Sequence, residues 1–194
     1  AETSFKYHAS CRHTHPSADA LLALMQQHKL KASDIASATA HVHQGAIDVL
    51  GPVTDPQTIH QSKFSMGFVL ALAANLGRAS LADFTTDALR DSQLRAFHDK
   101  VKMAFDPEVD QAYPKRWLGH VSVVTRDGRK LDQRITSPKG DPDNALTRAE
   151  LEDKAMRLAA FTDGARADEM KNIIARVWRL HDESNVREFL SRST

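Results

Sequence analysis

The stretch WLGHVSVVTRDGRKLDQRITS, residues 117–137, carries the clearest strand signal in the chain. Two strand-like runs flank Asp127-Gly128, the dipeptide that supplies the positive φ angles of a type I′ hairpin turn. Upstream, IASATAHVHQGAIDVL (35–50) alternates in part and carries β-branched residues. It predicts a further strand that runs into a turn at Gly51-Pro52.

The remaining segments read as helices and loops. Thr14 or Ser17 can cap a helix with Ala18, Leu21, Leu22 and Met25 on its apolar side and Pro16 in its first turn. HQSKFSMGFVLALAANLG (60–77) is apolar on nearly all sides from Phe64 to Leu76 and stops at Gly77, the pattern of a central buried helix. Ser80 and Asp83 offer a capping-box-like start for the next segment. Asp91 can cap a helix over 92–105, where Leu94, Phe97, Val101 and Phe105 recur at spacings of three and four. Residues 138–146, PKGDPDNAL, form a loop of turn formers. Thr147 and Glu150 make a capping box for the helix that follows, and 167–193 predicts one helix, a break and a last short helix. Strands separated from helices in this way predict an α+β fold, with helices packed on a small antiparallel sheet.

The chain has 194 residues, 41% of them hydrophobic, enough to bury a real core. With 26 Lys+Arg against 25 Asp+Glu, its charge does not point to a nucleic-acid partner. No apolar run approaches the roughly 20 residues of a membrane span. The first residues lack the basic end and apolar stretch of a signal peptide. They also lack a methionine, so a fragment of a longer protein is expected. A single cysteine forms no internal disulfide, in keeping with a reducing, cytoplasmic setting.

Residues 6–16, KYHASCRHTHP, concentrate a lysine, an arginine, three histidines and the lone cysteine at the expected helix start. Three chemistries compete for them. A metal is not expected, because His13 with His15 and His41 with His43 are spaced two apart and no C-x-x-C or H-x-x-x-H pair occurs. His41 and His43 share a face if both lie on one strand, which also describes a plain polar strand face. Cys11 beside Arg12 and His13 has the surroundings of a thiolate, but a lone cysteine there is more often a packed small residue. The third reading is an anion pocket. Lys6, Arg12, His13 and His15 can surround a carboxylate or phosphate, with Lys63 and Lys139-Gly140 repeating the design at other element starts.

The order of KYHASCRHTHPSADALL, HQSKFSMGFVLALAANLG and DGRKLDQRITSPKGDPDNALTRAELEDK resembles the C-terminal part of the MmgE/PrpD family. That family includes 2-methylcitrate dehydratase, cis-aconitate decarboxylase and iminodisuccinate epimerase. The resemblance implies a cytoplasmic or mitochondrial enzyme of more than twice this length. It also implies a homodimer, with a cleft between a large helical domain and a smaller α+β lid. On that pattern residues 1–146 are the lid, and 147–194 are helices that join an N-terminal helical domain outside this chain. Lys6 and His15 match positions expected to act in catalysis. Arg12, His13, Lys63 and Ser65 are expected to bind substrate, the last two from the family's [KR]-F-S segment. Cys11 stands where the decarboxylase has a histidine, which speaks against decarboxylation. The resemblance implies no metal and no organic cofactor, and a small polycarboxylate as substrate, with no nucleic acid and no membrane as partner. A 2-methylcitrate dehydratase-like lyase is the leading expectation. An epimerase of the same family is the nearest rival, and a non-catalytic carboxylate-binding module is the rival from another class.

Overall fold

The computed structural model describes residues 3–161 and 163–182. The chain divides into two compact units, residues 1–145 and 146–194.

The first unit has the strands β1 Ile35–Val42, β2 Val101–Phe105, β3 Gly119–Thr125 and β4 Lys130–Ile135. Its helices are α1 His15–His28, α2 Gln44–Leu50, α3 Ile59–Ser62, α4 Met66–Leu76, α5 Thr86–Arg90, α6 Ser92–His98 and α7 Pro107–Ala112. The strands form one sheet in the order β2-β1-β3-β4. α1 and α4 pack on each other and against the sheet.

Period-two alternation sorts the sheet residues. Ala38, Ala40 and Val42 of β1 and Val121 and Val123 of β3 are buried in one core with Leu21 and Leu24 of α1. The intervening residues His41, His120, Ser122 and Asp132 instead form a hydrogen-bonded polar network on the other face. α4 fulfils its expectation as the central helix: Met66 and every residue from Phe68 to Ala74 are buried. Ser65 starts it by accepting from the Phe68 amide at 3.3 Å, and Gly77 ends it at φ 70°.

The α+β class holds, but the sheet is mixed. β1 pairs antiparallel with β3 and parallel with β2. β2 falls within the segment expected to continue a helix to residue 105. α6 ends at His98, and the Lys100 carbonyl accepts from the Ala38 amide at 3.0 Å, so the chain enters the sheet. Val101 and Phe105 kept a helical spacing after the helix had stopped. β1 is also shorter than expected, since residues 44–50 form α2. The hairpin is present, yet its turn is not type I′. Gly128 takes φ 86° while Asp127 does not take a positive value, and Thr125 accepts from the Gly128 amide while donating to Arg129. This is a three-residue loop with a left-handed glycine.

In the second unit α8 Arg148–Phe161 and α9 Ala167–Val177 pack on each other. The Thr147–Glu150 capping box is formed. From Thr147 onward no described residue is buried. Ile173, Ile174 and Trp178 are half-covered and Val177 is exposed, and Arg148 stands over the Trp178 ring. The last helix expected from the sequence lies outside the described residues. No described helix is long and apolar enough to cross a membrane.

Gly119 sets how closely β3 approaches the start of α1. A Cβ there would stand 2.3 Å from the Pro16 carbonyl oxygen and 2.6 Å from Ile135. Gly119→Ala is therefore expected to cost about 1–3 kcal/mol, the usual range for overpacking, measured by urea unfolding. A loss below about 0.5 kcal/mol would show that this contact yields freely.

Candidate functional site

The segment before α1 has no strand of its own, so its backbone groups find partners elsewhere. Phe5 donates to the Gly140 carbonyl, Ala9 to Ala79 and Cys11 to Lys63, each at 2.8 Å. Side chains add further ties. Asp19 of α1 accepts from His8 at 2.8 Å with one oxygen and from the Lys139 amide at 2.7 Å with the other. Arg12 forms an ion pair with Asp141. The three basic segments read from the sequence, around Lys6, Lys63 and Lys139, are thus joined through one stretch of chain.

Within it, residues 10–14 close on themselves. The Ser10 and Thr14 hydroxyls lie 2.8 Å apart, and Thr14 donates to the Cys11 carbonyl at 2.7 Å. The Ser10 carbonyl then accepts from two cationic-type side chains, Lys6 Nζ at 3.1 Å and His15 Nε2 at 3.3 Å. Lys6 and His15 therefore meet at one carbonyl, but not as equals. Lys6 is exposed, whereas His15 is 1% exposed and edge-on to His8. Burial, reinforced by His8, Lys6 and Arg12, pushes the His15 pKa down to about 3. His15, which the family resemblance places among the catalytic positions, is thus almost wholly covered in this structure. It is a neutral donor under the loop and has no surface to offer a substrate.

Arg12 and His13 enter an aromatic cluster. The Arg12 guanidinium lies 4.7 Å from the Trp117 ring centre. His13 Nδ1 is 3.2 Å from His43 Nε2, and His43 stacks on Tyr113 with centroids 3.8 Å apart. Burial lowers the pKa of both imidazoles; for His43, helped by His13, it falls to about 4. His43 Nδ1 is buried without a partner. A bare lone pair there costs less than a bare N–H, so the favoured tautomer donates from His43 Nε2 to His13 Nδ1. His13 Nε2 then carries the proton. Tyr113, Trp117 and the role of His43 were missed in the sequence, because residues 113–117 show no periodicity and only fold back onto the loop in space. His41 and His43 do not share a site. β1 ends at Val42, and His43 is the residue before α2.

Lys63 reaches the loop through its carbonyl, while its ammonium stands 5.6 Å from the Phe84 ring centre. Ser65 is 1% exposed and its hydroxyl is engaged at the cap of α4, so it supports the helix from beneath. Cys11 is half-buried against the core cluster, the ordinary place for a small packed side chain.

Residues 8–180 match the profile of the MmgE/PrpD C-terminal domain. The chain belongs to the MmgE/PrpD family. No curated protein matches it at a significant level. The matched span starts after Lys6 and takes in Cys11, Arg12, His13, His15, Lys63 and Ser65.

In this MmgE/PrpD domain the buried histidine couples the loop to pH. An unfolded His15 titrates near its ordinary 6.5, and the folded one near 3. Between those values the unfolded chain binds the extra proton. The stabilisation from a neutral His15 is therefore complete above about pH 6.5 and is lost as pH falls toward 3, by up to about 1.4 kcal/mol per pH unit. His15→Gln, which keeps an N–H donor, is expected to flatten urea-unfolding stability between pH 7 and pH 5. An unchanged slope would place the titration elsewhere.

Proposed function

We propose that this chain is the lid-containing region, residues 1–146 followed by a C-terminal segment 147–194, of a lyase acting on a di- or tricarboxylate. A 2-methylcitrate dehydratase-like reaction is the reading that family membership and loop chemistry favour together. The observation that carries it is the exposed Lys6 ammonium, held on the Ser10 carbonyl at the edge of a loop that also presents His13.

Eliminating water next to a carboxylate builds negative charge on that carboxylate and its neighbouring carbon. A fixed ammonium stabilises this charge most where it is largest, in the transition state. Lys6 supplies the charge, and His13 Nε2–H supplies a second donor with its tautomer set by His43. Arg12 has a supporting part, since its ion pair with Asp141 and its packing on Trp117 hold the two loops together. His15 acts as a positioning residue by fixing the carbonyl on which Lys6 rests. Lys63 and Ser65 shape the floor. The remaining acid–base groups come from the helical domain that completes the cleft.

The test uses the full-length enzyme and a panel of hydroxy di- and tricarboxylates, with formation of the unsaturated acid followed by absorbance. Lys6→Ala is expected to lower kcat/KM by about a hundredfold or more. Lys6→Arg should restore only part of it, since a planar fork does not replace a compact ammonium. Cys11→Ala should be nearly silent. Normal kinetics in Lys6→Ala would remove Lys6 from the site, and proton exchange without an unsaturated product would favour the epimerase reading.

A further inference from the structure

The polar face of the sheet carries a second cluster, separate from the Lys6 loop. His41 on β1 stands directly opposite His120 on β3, with ring centroids 4.0 Å apart. Asp106, between β2 and α7, places Oδ2 2.8 Å from His120 Nδ1. One nitrogen from each ring and one Asp106 oxygen lie within 4.8 Å of one another. We propose that His41, Asp106 and His120 form a binding site for a divalent cation of the zinc class, with Ser122 and Asp132 orienting the two imidazoles.

The support is that each ligand has its other polar atom already held. His41 Nε2 lies 2.7 Å from the Ser122 hydroxyl, and His120 Nε2 lies 2.7 Å from Asp132. Asp106 Oδ1 accepts the Glu108 and Val109 amides at 2.9 and 3.3 Å as the cap of α7. Metal-binding histidines characteristically donate their second ring nitrogen to a carboxylate or similar group, which fixes tautomer and ring plane. The same logic leaves Nδ1 of both rings and Asp106 Oδ2 as the ligand atoms. His120 and Asp106 are buried, so two of the three ligands are held in place.

Two imidazoles and one carboxylate suit Zn²⁺, Co²⁺ or Ni²⁺ better than Mg²⁺ or Ca²⁺, which prefer all-oxygen shells. An entering ion replaces the proton between His120 and Asp106 and widens that contact from 2.8 Å to the roughly 3.3 Å spanned by two bonds of about 2.0 Å at a tetrahedral centre. The two rings are stacked at an interplanar angle of 16°. The half-buried His41 ring must therefore tilt out of the stack about its hydrogen bond to Ser122 before its Nδ1 lone pair meets that of His120 at one ion. Asp106, Glu108 and Asp132 outnumber the one guanidinium among them, Arg134, which is paired to Glu108 at 2.8 Å and reaches Asp106 Oδ2 only at 3.8 Å, a longer contact that an entering ion displaces. Spacing along the chain carries no sign of this site, because its ligands come from two strands and a helix cap. The expectation of a metal-free chain rested on that spacing and on the family resemblance, neither of which sees a cluster assembled by the sheet.

The experiment strips the chain with a chelator, then titrates it with Zn²⁺ by calorimetry and with Co²⁺ by visible absorption. One equivalent of either ion is expected, with Co²⁺ d–d bands and a Zn²⁺-dependent rise in Tm. Asp106→Asn keeps a side-chain carbonyl for the α7 cap while removing the charge, so it should fold and bind about tenfold or more weakly. His41→Gln and His120→Gln should weaken binding at least as much. His13→Gln and Cys11→Ser should leave it unchanged. No saturable binding up to millimolar Zn²⁺ would overturn the proposal. So would binding that survives His41→Gln and His120→Gln, or that is lost on His13→Gln or Cys11→Ser instead.

Discussion

The hydrogen bond from the Cys11 amide to the Lys63 carbonyl ties a segment without regular structure to the mouth of the most buried helix. That single tie has consequences in both directions. Toward the core, it sets residues 10–14 above α4, whose own start is fixed by the Ser65 cap. Toward solvent, it determines which loop side chains can emerge. Its companions at Ala79 and Gly140 make the path of the loop a property of three distant segments. A loop so pinned can hold an ammonium in one place, which is what charge stabilisation in a transition state requires.

The sheet supplies the second constraint. Small residues on β1 and β3, Ala38, Ala40, Val121 and Val123, let α1 and α4 sit close on one face. The strand period then leaves the other face to histidines, a serine and carboxylates, and these satisfy one another across β1, β3 and β4. His41 and His43 show how sharp the division is. They are two residues apart, but the chain leaves the sheet between them, and they end in different clusters.

Long, strongly patterned elements were legible in the sequence. α4 announced itself by an unbroken apolar run with a glycine stop, and the hairpin by Asp127-Gly128. The Asp91 and Thr147–Glu150 caps were legible because a capping side chain bonds only a few residues away. β2 was not, since Val101 and Phe105 happen to extend the spacing of α6, and only pairing with β1 decides the conformation. The parallel sense of that pairing is likewise tertiary. In the loop, the residue types that suggested an anion pocket were plain, but their division of labour depends on burial. Burial separates an exposed Lys6 from a neutral His15 resting on the same carbonyl.

The density of histidines in KYHASCRHTHP is therefore two features overlaid. His8 and His15 are buried, one against Asp19 and the other against Ser10, and they hold the loop to α1. An imidazole serves well there because its flat ring packs edge-on against its neighbour while a ring nitrogen reaches a fixed acceptor. Leucine would fill the space and leave the Ser10 carbonyl and the Asp19 carboxylate poorer by a donor, which costs more than the packing returns. Lys6, Arg12 and His13 sit on the outer side of that framework. Reactive residue types cluster in this stretch because the outer groups need inner ones of matching polarity to hold the bend that presents them.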